Sequence, residues 1–138
     1  MTRVGTLLVL VWLVALPCGI GSAADQVERG HELYTQYCAA CHGLNADGNG
    51  PLAPVMKMPP ANLRRLSERY GNPLPAKRIA GFIDGREDVK AHGPRDMPVW
   101  GMRFDPEKKA GAENTRPWLA ALVAYLQSIQ GVPPAAMR

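Results

Sequence analysis

The chain has 138 residues, 46% hydrophobic and 20% charged, which suits one small domain and excludes both a disordered tail and a multi-span membrane protein. Its formal charge of +4 is too mild to mark a nucleic-acid binder. The 14 Gly and 13 Pro make much of the backbone loop, and 3 Cys cannot all pair, so a disulfide-stapled mini-domain is excluded as well. A loop-rich domain of this size needs more than its own side chains to complete a core.

Residues 1–24 read as a cleaved secretory signal. Arg3 opens the segment, an apolar run covers 4–16, and Ser22-Ala23-Ala24 offers small residues at a cleavage site after Ala24. As a helix that run would reach roughly 20 Å, short of a ~30 Å hydrocarbon core, so an uncleaved membrane anchor is the second reading. Cys18 follows Pro17, a poor context for lipidation, and leaves with the signal. Residues 25–138 then form one exported, periplasmic domain whose thiols are Cys38 and Cys41. An oxidising compartment leaves two such neighbours paired, metallated or covalently used.

Asp25 with Glu28 resembles a capping pair, and Val27, Gly30, Leu33, Tyr34, Tyr37, Cys38 and Cys41 recur at helical spacing, which predicts a helix over about 26–40. Residues 43–61 are broken by Gly43, Gly48, Gly50-Pro51, Pro54 and Pro59-Pro60 and read as loop. Asn62 can cap a short helix bearing Leu63, Leu66 and Tyr70, stopped by Gly71. Pro75 opens another with Ile79, Phe82 and Ile83, closed by Gly85. Residues 86–112 are again irregular, punctuated by Gly93-Pro94, Met97-Pro98 and Asp105-Pro106. The last helix starts near Pro117, sets Leu119, Leu122, Val123, Leu126 and Ile129 on one stripe, and ends at Gly131 before Pro133-Pro134. No strand-like alternation of useful length occurs. The pattern predicts an all-α fold of three to five short helices joined by long loops.

The chemistry concentrates in Cys38-Ala39-Ala40-Cys41-His42, a CxxCH motif for attaching c-type haem. Two thiols on one helical turn can add to the two porphyrin vinyl groups, and the adjacent imidazole can bind the iron axially. In a chain of this composition the motif arises by chance with a probability on the order of 0.001. Two other readings exist. A thioredoxin-like redox pair would need a βαβ setting, which the sequence lacks. A structural zinc would need a second Cys or His pair, and His31 and His92 stand alone.

With Gly30 and Tyr34 preceding Cys38 by eight and four residues, the segment 25–131 resembles the small class I c-type cytochromes. The resemblance implies a cytochrome c fold wrapped around one covalent haem c. It places Gly30 where the N-terminal helix crosses the C-terminal one, against Leu122, Tyr125 and Leu126. It also gives the His42 ring N–H a loop carbonyl as partner, with Gly50-Pro51 the first choice and Pro54 the second.

A sixth ligand is expected from Met97. It stands in the irregular stretch before the last helix, and Pro98 drives it into extended geometry from which a thioether can project. Its Met-Pro pairing also resembles the family pattern. Met102, Met56, Met58 and His92 are the alternatives. Asn62, Arg64, Arg65, Arg95 and Trp100 are candidates for the haem carboxylates, and Tyr70, Ile79, Phe82 and Ile83 for the apolar pocket. Iron held at both axial positions has no place for substrate, so the expected function is one-electron transfer rather than catalysis. The alternatives are a subunit of a terminal oxidase or dehydrogenase complex, and a haem enzyme or gas-binding protein with a labile sixth ligand. Expected partners are redox proteins that donate and accept the electron, and membrane-bound respiratory complexes; the expected state is a monomer.

Overall fold

A computed structural model describes residues 22–85, 97–105, 107 and 116–131. The signal segment up to residue 21, and with it Arg3 and Cys18, lies outside them, as do His92, Arg95 and Met137. Among the described residues there are six α-helices and no strand: α1 (Ala23–Tyr37), α2 (Ala39–His42), α3 (Leu66–Tyr70), α4 (Ala76–Asp84), α5 (Trp100–Phe104) and α6 (Pro117–Ser128). Two 3-10 turns, Ala53–Val55 and Leu63–Arg65, punctuate the loop between α2 and α3. The fold is all-α, as the sequence predicts. The helix count exceeds the expected three to five because α2 and α5 are single turns.

The N-terminal cap sits three residues earlier than Asp25 and Glu28 suggest. The Ser22 hydroxyl accepts from the Asp25 N–H at 3.2 Å, and the Asp25 carboxylate accepts from the Ser22 N–H at 2.8 Å. This reciprocal box satisfies two backbone donors and moves Asp25 into the first turn, where its charge also opposes the helix dipole. In a chain cut after Ala24, Ser22 would leave and Asp25 would remain at the helix start.

α1 and α6 cross at Gly30. A Cβ there would stand 2.0 Å from the Ala121 carbonyl oxygen and 2.7 Å from the Tyr125 Cβ. Only a residue without a side chain permits that approach. The crossing also sets Tyr34 against Tyr125 in a tilted contact, with ring centroids 5.1 Å apart. Tyr34 is 1% exposed, and its hydroxyl donates to the Gly43 carbonyl just past α2. Burial raises the Tyr34 phenol far above its usual pKa, so it stays neutral. Of the residues expected opposite Gly30, Tyr125 meets it, whereas Leu122 and Leu126 turn to line a cavity.

α6 is buried along most of its length, with Leu119, Leu122, Val123, Leu126 and Ile129 in the core beside Ile79, Ala80 and Ile83 of α4. Its far end is fastened by Gln130, whose amide accepts from the Ser67 N–H at 2.9 Å and donates to the Leu63 carbonyl at 2.8 Å. Asn62 caps the turn that follows it, as expected, by accepting from the Arg64 N–H. Helix α5 falls in the stretch the sequence reads as irregular. A five-residue helix has almost no intrinsic stability. It forms here inside an aromatic cluster, with Tyr37 4.8 Å from Phe104 and Phe104 4.9 Å from Trp118.

Replacing Gly30 with Ala forces two helix backbones apart, because a carbonyl oxygen cannot yield as a flexible side chain can. Gly30→Ala is expected to cost about 3 kcal/mol, measurable as a lower denaturation midpoint. An unchanged midpoint would mean that the helices do not cross in backbone contact.

Candidate haem site

The helix that begins at Ala23 stops at Cys38, which caps the end of α1 and the start of α2 in one irregular residue (φ −114°, ψ −32°). The pentapeptide therefore occupies a separate single turn, and Cys38, Cys41 and His42 all reach the wall of one cavity of about 340 Å³. That volume falls in the range of ligand pockets rather than packing voids. Both cysteines are free thiols. Burial, with the neighbouring Cys41 adding to it, pushes the Cys38 thiol up to about 12, so it is held as the neutral S–H.

The loop after α2 is folded back onto it. The N–H groups of Gly48, Gly50 and Leu52 donate to the carbonyls of His42, Cys41 and Ala40 at 2.8, 3.1 and 2.9 Å. These bonds satisfy the carbonyls that a four-residue helix leaves open. They also require glycine: a Cβ on Gly50 would lie 2.5 Å from the Ala40 carbonyl oxygen, and one on Gly48 2.5 Å from that of Pro60.

With the Gly50-Pro51 region spent on capping α2, the His42 ring finds its partner further on. Nδ1 lies 3.0 Å from the Ala61 carbonyl, immediately after Pro59-Pro60. This corrects the expectation of Gly50-Pro51 or Pro54. A carbonyl can only accept, so Nδ1 carries the proton and Nε2 keeps its lone pair. Burial lowers the His42 pKa, and the bond to Ala61 offsets this only in part, which favours the neutral imidazole that a metal requires.

Met97 and Pro98 line the same cavity, together with Met56 and Met58. Met102 does not; it is 55% exposed on α5, against 37% for Met97. The remaining walls are largely apolar and include the four expected residues Tyr70, Ile79, Phe82 and Ile83. Of the candidates for the haem carboxylates, Trp100 lines the cavity, whereas Asn62, Arg64 and Arg65 do not. Arg65 is turned outward to Glu68 at 2.8 Å, an exposed pair of small energetic worth. Arg69 was not singled out from sequence, yet it is the one Lys or Arg among the described residues that lines the cavity. Its signal was its place one position before Tyr70 at the end of α3, where a long side chain reaches back over its own turn.

Two thiols, one imidazole with a free Nε2, three thioethers and apolar walls form a donor set suited to haem and to no hard cation. Among the described residues no group of three or more His, Cys, Asp or Glu could hold a metal ion, so the zinc reading gains nothing. No helix among them is long and apolar enough to cross a membrane. An all-α chain that brings CxxCH to the wall of such a cavity is a c-type cytochrome domain. Over residues 25–112 the sequence matches the family described as cytochrome c oxidase, cbb3-type, subunit III, and the chain belongs to that family. Membership implies haem c as the bound group, electron transfer as the function and redox proteins as partners. No curated protein and no solved structure matches the chain.

A cation at the cavity wall favours the less positive iron state. Arg69→Gln should therefore lower the reduction potential, by about 30 mV for one partly solvated charge. Redox titration against the unaltered protein reads this directly, and an equal or higher potential would place the Arg69 charge too far from the iron to matter.

Proposed function

We propose that the protein is an exported one-electron carrier that cycles a single covalent haem c between Fe(III) and Fe(II) in a periplasmic electron-transport chain, with His42 and Met97 as axial ligands. The observation that carries this reading is the convergence of Cys38, Cys41, His42 and Met97 on one largely apolar cavity.

When bound, haem c supplies the one-electron couple. Cys38 and Cys41 hold it, each by adding its thiol across one vinyl group. Such an addition would join sulfur to one alkene carbon and the thiol proton to the other, so it would need no outside oxidant. His42 offers Nε2 while Ala61 fixes the ring from behind. Met97 offers a soft, neutral sulfur that favours the reduced state and raises the potential. Ile79, Phe82, Leu122 and Leu126 line the cavity and would keep water from a bound haem, which would limit the reorganisation an electron transfer must drive. Arg69 offsets haem carboxylate charge. Export of residues 25–138, by cleavage after Ala24, belongs to the same reading, because it brings the two thiols to the compartment where they are used.

The family match favours a second reading, in which the same centre serves inside a terminal oxidase or dehydrogenase complex rather than diffusing. The iron chemistry is identical in both. Cell fractionation separates them: a diffusing carrier appears in the periplasmic fraction and elutes as a monomer, whereas a subunit elutes with its complex from solubilised membranes.

Mass spectrometry of the exported protein should give the chain from Asp25 plus one haem, and the haem should survive acid-acetone extraction. Haem lost to the solvent would refute the thioethers, and a mass beginning before Asp25 would refute the cleavage site.

Ligation has its own readout. A thioether on low-spin ferric haem gives a weak far-red charge-transfer band. Met97→Ala should abolish that band, lower the potential and open the reduced iron to carbon monoxide, whereas Met102→Ala should leave the band intact. Loss of the band in Met56→Ala or Met58→Ala instead would transfer the ligand role to that residue. A native protein that lacks the band and binds carbon monoxide readily would overturn the carrier reading in favour of a gas-binding or catalytic one.

A further inference from the structure

Arg116 is 0% exposed, an unusual position for a guanidinium in a small domain. It stands at the N-cap of α6, pairs through Nη1 with the carboxylate of Asp84, and lies with Nε 3.3 Å from that of Asp105. Asp84 is the last residue of α4 and is itself 1% exposed; Asp105 is the C-cap of α5. One cation thus joins three helices, and each of them also lines the cavity, through Ile83, Trp100 and Leu122. Burying these charges is costly, and apolar side chains of similar size would serve stability as well or better. What the guanidinium adds is position: Nη1 donates to Asp84, while charge attraction at 3.3 Å draws the Asp105 carboxylate toward Nε.

The segment fixed in this way carries Met97. Only Pro98 and Val99 separate that residue from α5, and α5 is too short to hold its own place. We propose that Arg116 is a positioning residue which, by holding Asp105 against Asp84, keeps the Met97 thioether seated over the haem cavity. This rests on Met97 as a ligand. Freed at Asp105, α5 keeps its aromatic contacts with Tyr37 and Trp118 but loses its fixed angle, and the Met97-off state becomes more populated.

The test uses the holoprotein and leaves Asp84 and Arg116 unchanged, since removing either strands a fully buried charge. Asp105→Ala deletes the carboxylate at a site that is 25% exposed and should fold; Asp105→Asn keeps the shape and drops the charge. A rise in the Met97-off population appears as the same factor in the apparent affinity of the reduced protein for carbon monoxide. Asp105→Ala should raise that affinity about tenfold or more and lose the far-red band well below the temperature at which helical circular dichroism is lost. Asp105→Asn, which lacks the charge, should behave as Asp105→Ala does, and native behaviour in it would overturn the ion pair as the tether. A merely structural role would shift band and helix melting together and leave carbon monoxide affinity unchanged, which would overturn the proposal while the band itself upheld Met97 ligation. A native protein with no band would remove both.

Discussion

The crossing of α1 and α6 at Gly30 is the contact on which the site depends. Because the two backbones touch there, Tyr34 falls against Tyr125, and its hydroxyl reaches the Gly43 carbonyl at the end of the CxxCH turn. The motif is therefore aimed by the helix pair rather than by its own sequence. Leu122 and Leu126, one face round from the crossing, form cavity wall. Leaving such walls in water would cost on the order of 5 kcal/mol at about 25 cal/mol per Å², a large share of the total stability of a small domain. The same packing that builds the helix pair creates a hole that a flat apolar group must fill.

What could be read in advance was what is local in the chain. CxxCH is five consecutive residues, the stripe on α6 repeats every turn, and Asn62 caps the turn that begins beside it. Met97-Pro98 was legible because proline constrains the residue before it. The features that escaped depend on distant partners. The Ala61 carbonyl carries no side-chain signature and became the partner of His42 only because Gly48 and Gly50 were already committed to α2. Helix α5 has neither length nor cap to announce it and exists through Tyr37 and Trp118. The place of Arg69 at the cavity and the burial of Arg116 beside Asp84 both depend on residues distant in the chain. Such placements are properties of the fold.

Family membership fixes the chemistry more firmly than the biological setting. A c-type cytochrome domain transfers electrons whether it diffuses or sits in a complex, and a fold shared by both cannot separate them. The difference must lie in the surface. Leu44 and Val55 are 71% and 80% exposed, and both lie in the loops that follow the CxxCH turn. Scattered apolar residues are ordinary on any surface, so they do not by themselves name a partner.

The two sides of the cavity are held by different kinds of force. His42 is fixed by bonds that begin and end within residues 38–61, including the Ala61 carbonyl on its ring and the Gly48 N–H on its backbone. Contacts of short sequence separation cost little loop entropy and re-form easily after a local opening. Met97 has no such frame. Its place depends on α5, which leans on aromatic rings from α1 and α6 and on an ion pair reaching to Arg116. A disturbance in α4, α5 or α6 therefore reaches the Met97 side of the cavity before the His42 side. The histidine wall of the cavity is thus set by the local chain, and the methionine wall by tertiary packing. Substitutions in α4, α5 or α6, far from the cavity, therefore act on the Met97 wall first and leave Cys38, Cys41 and His42 in place.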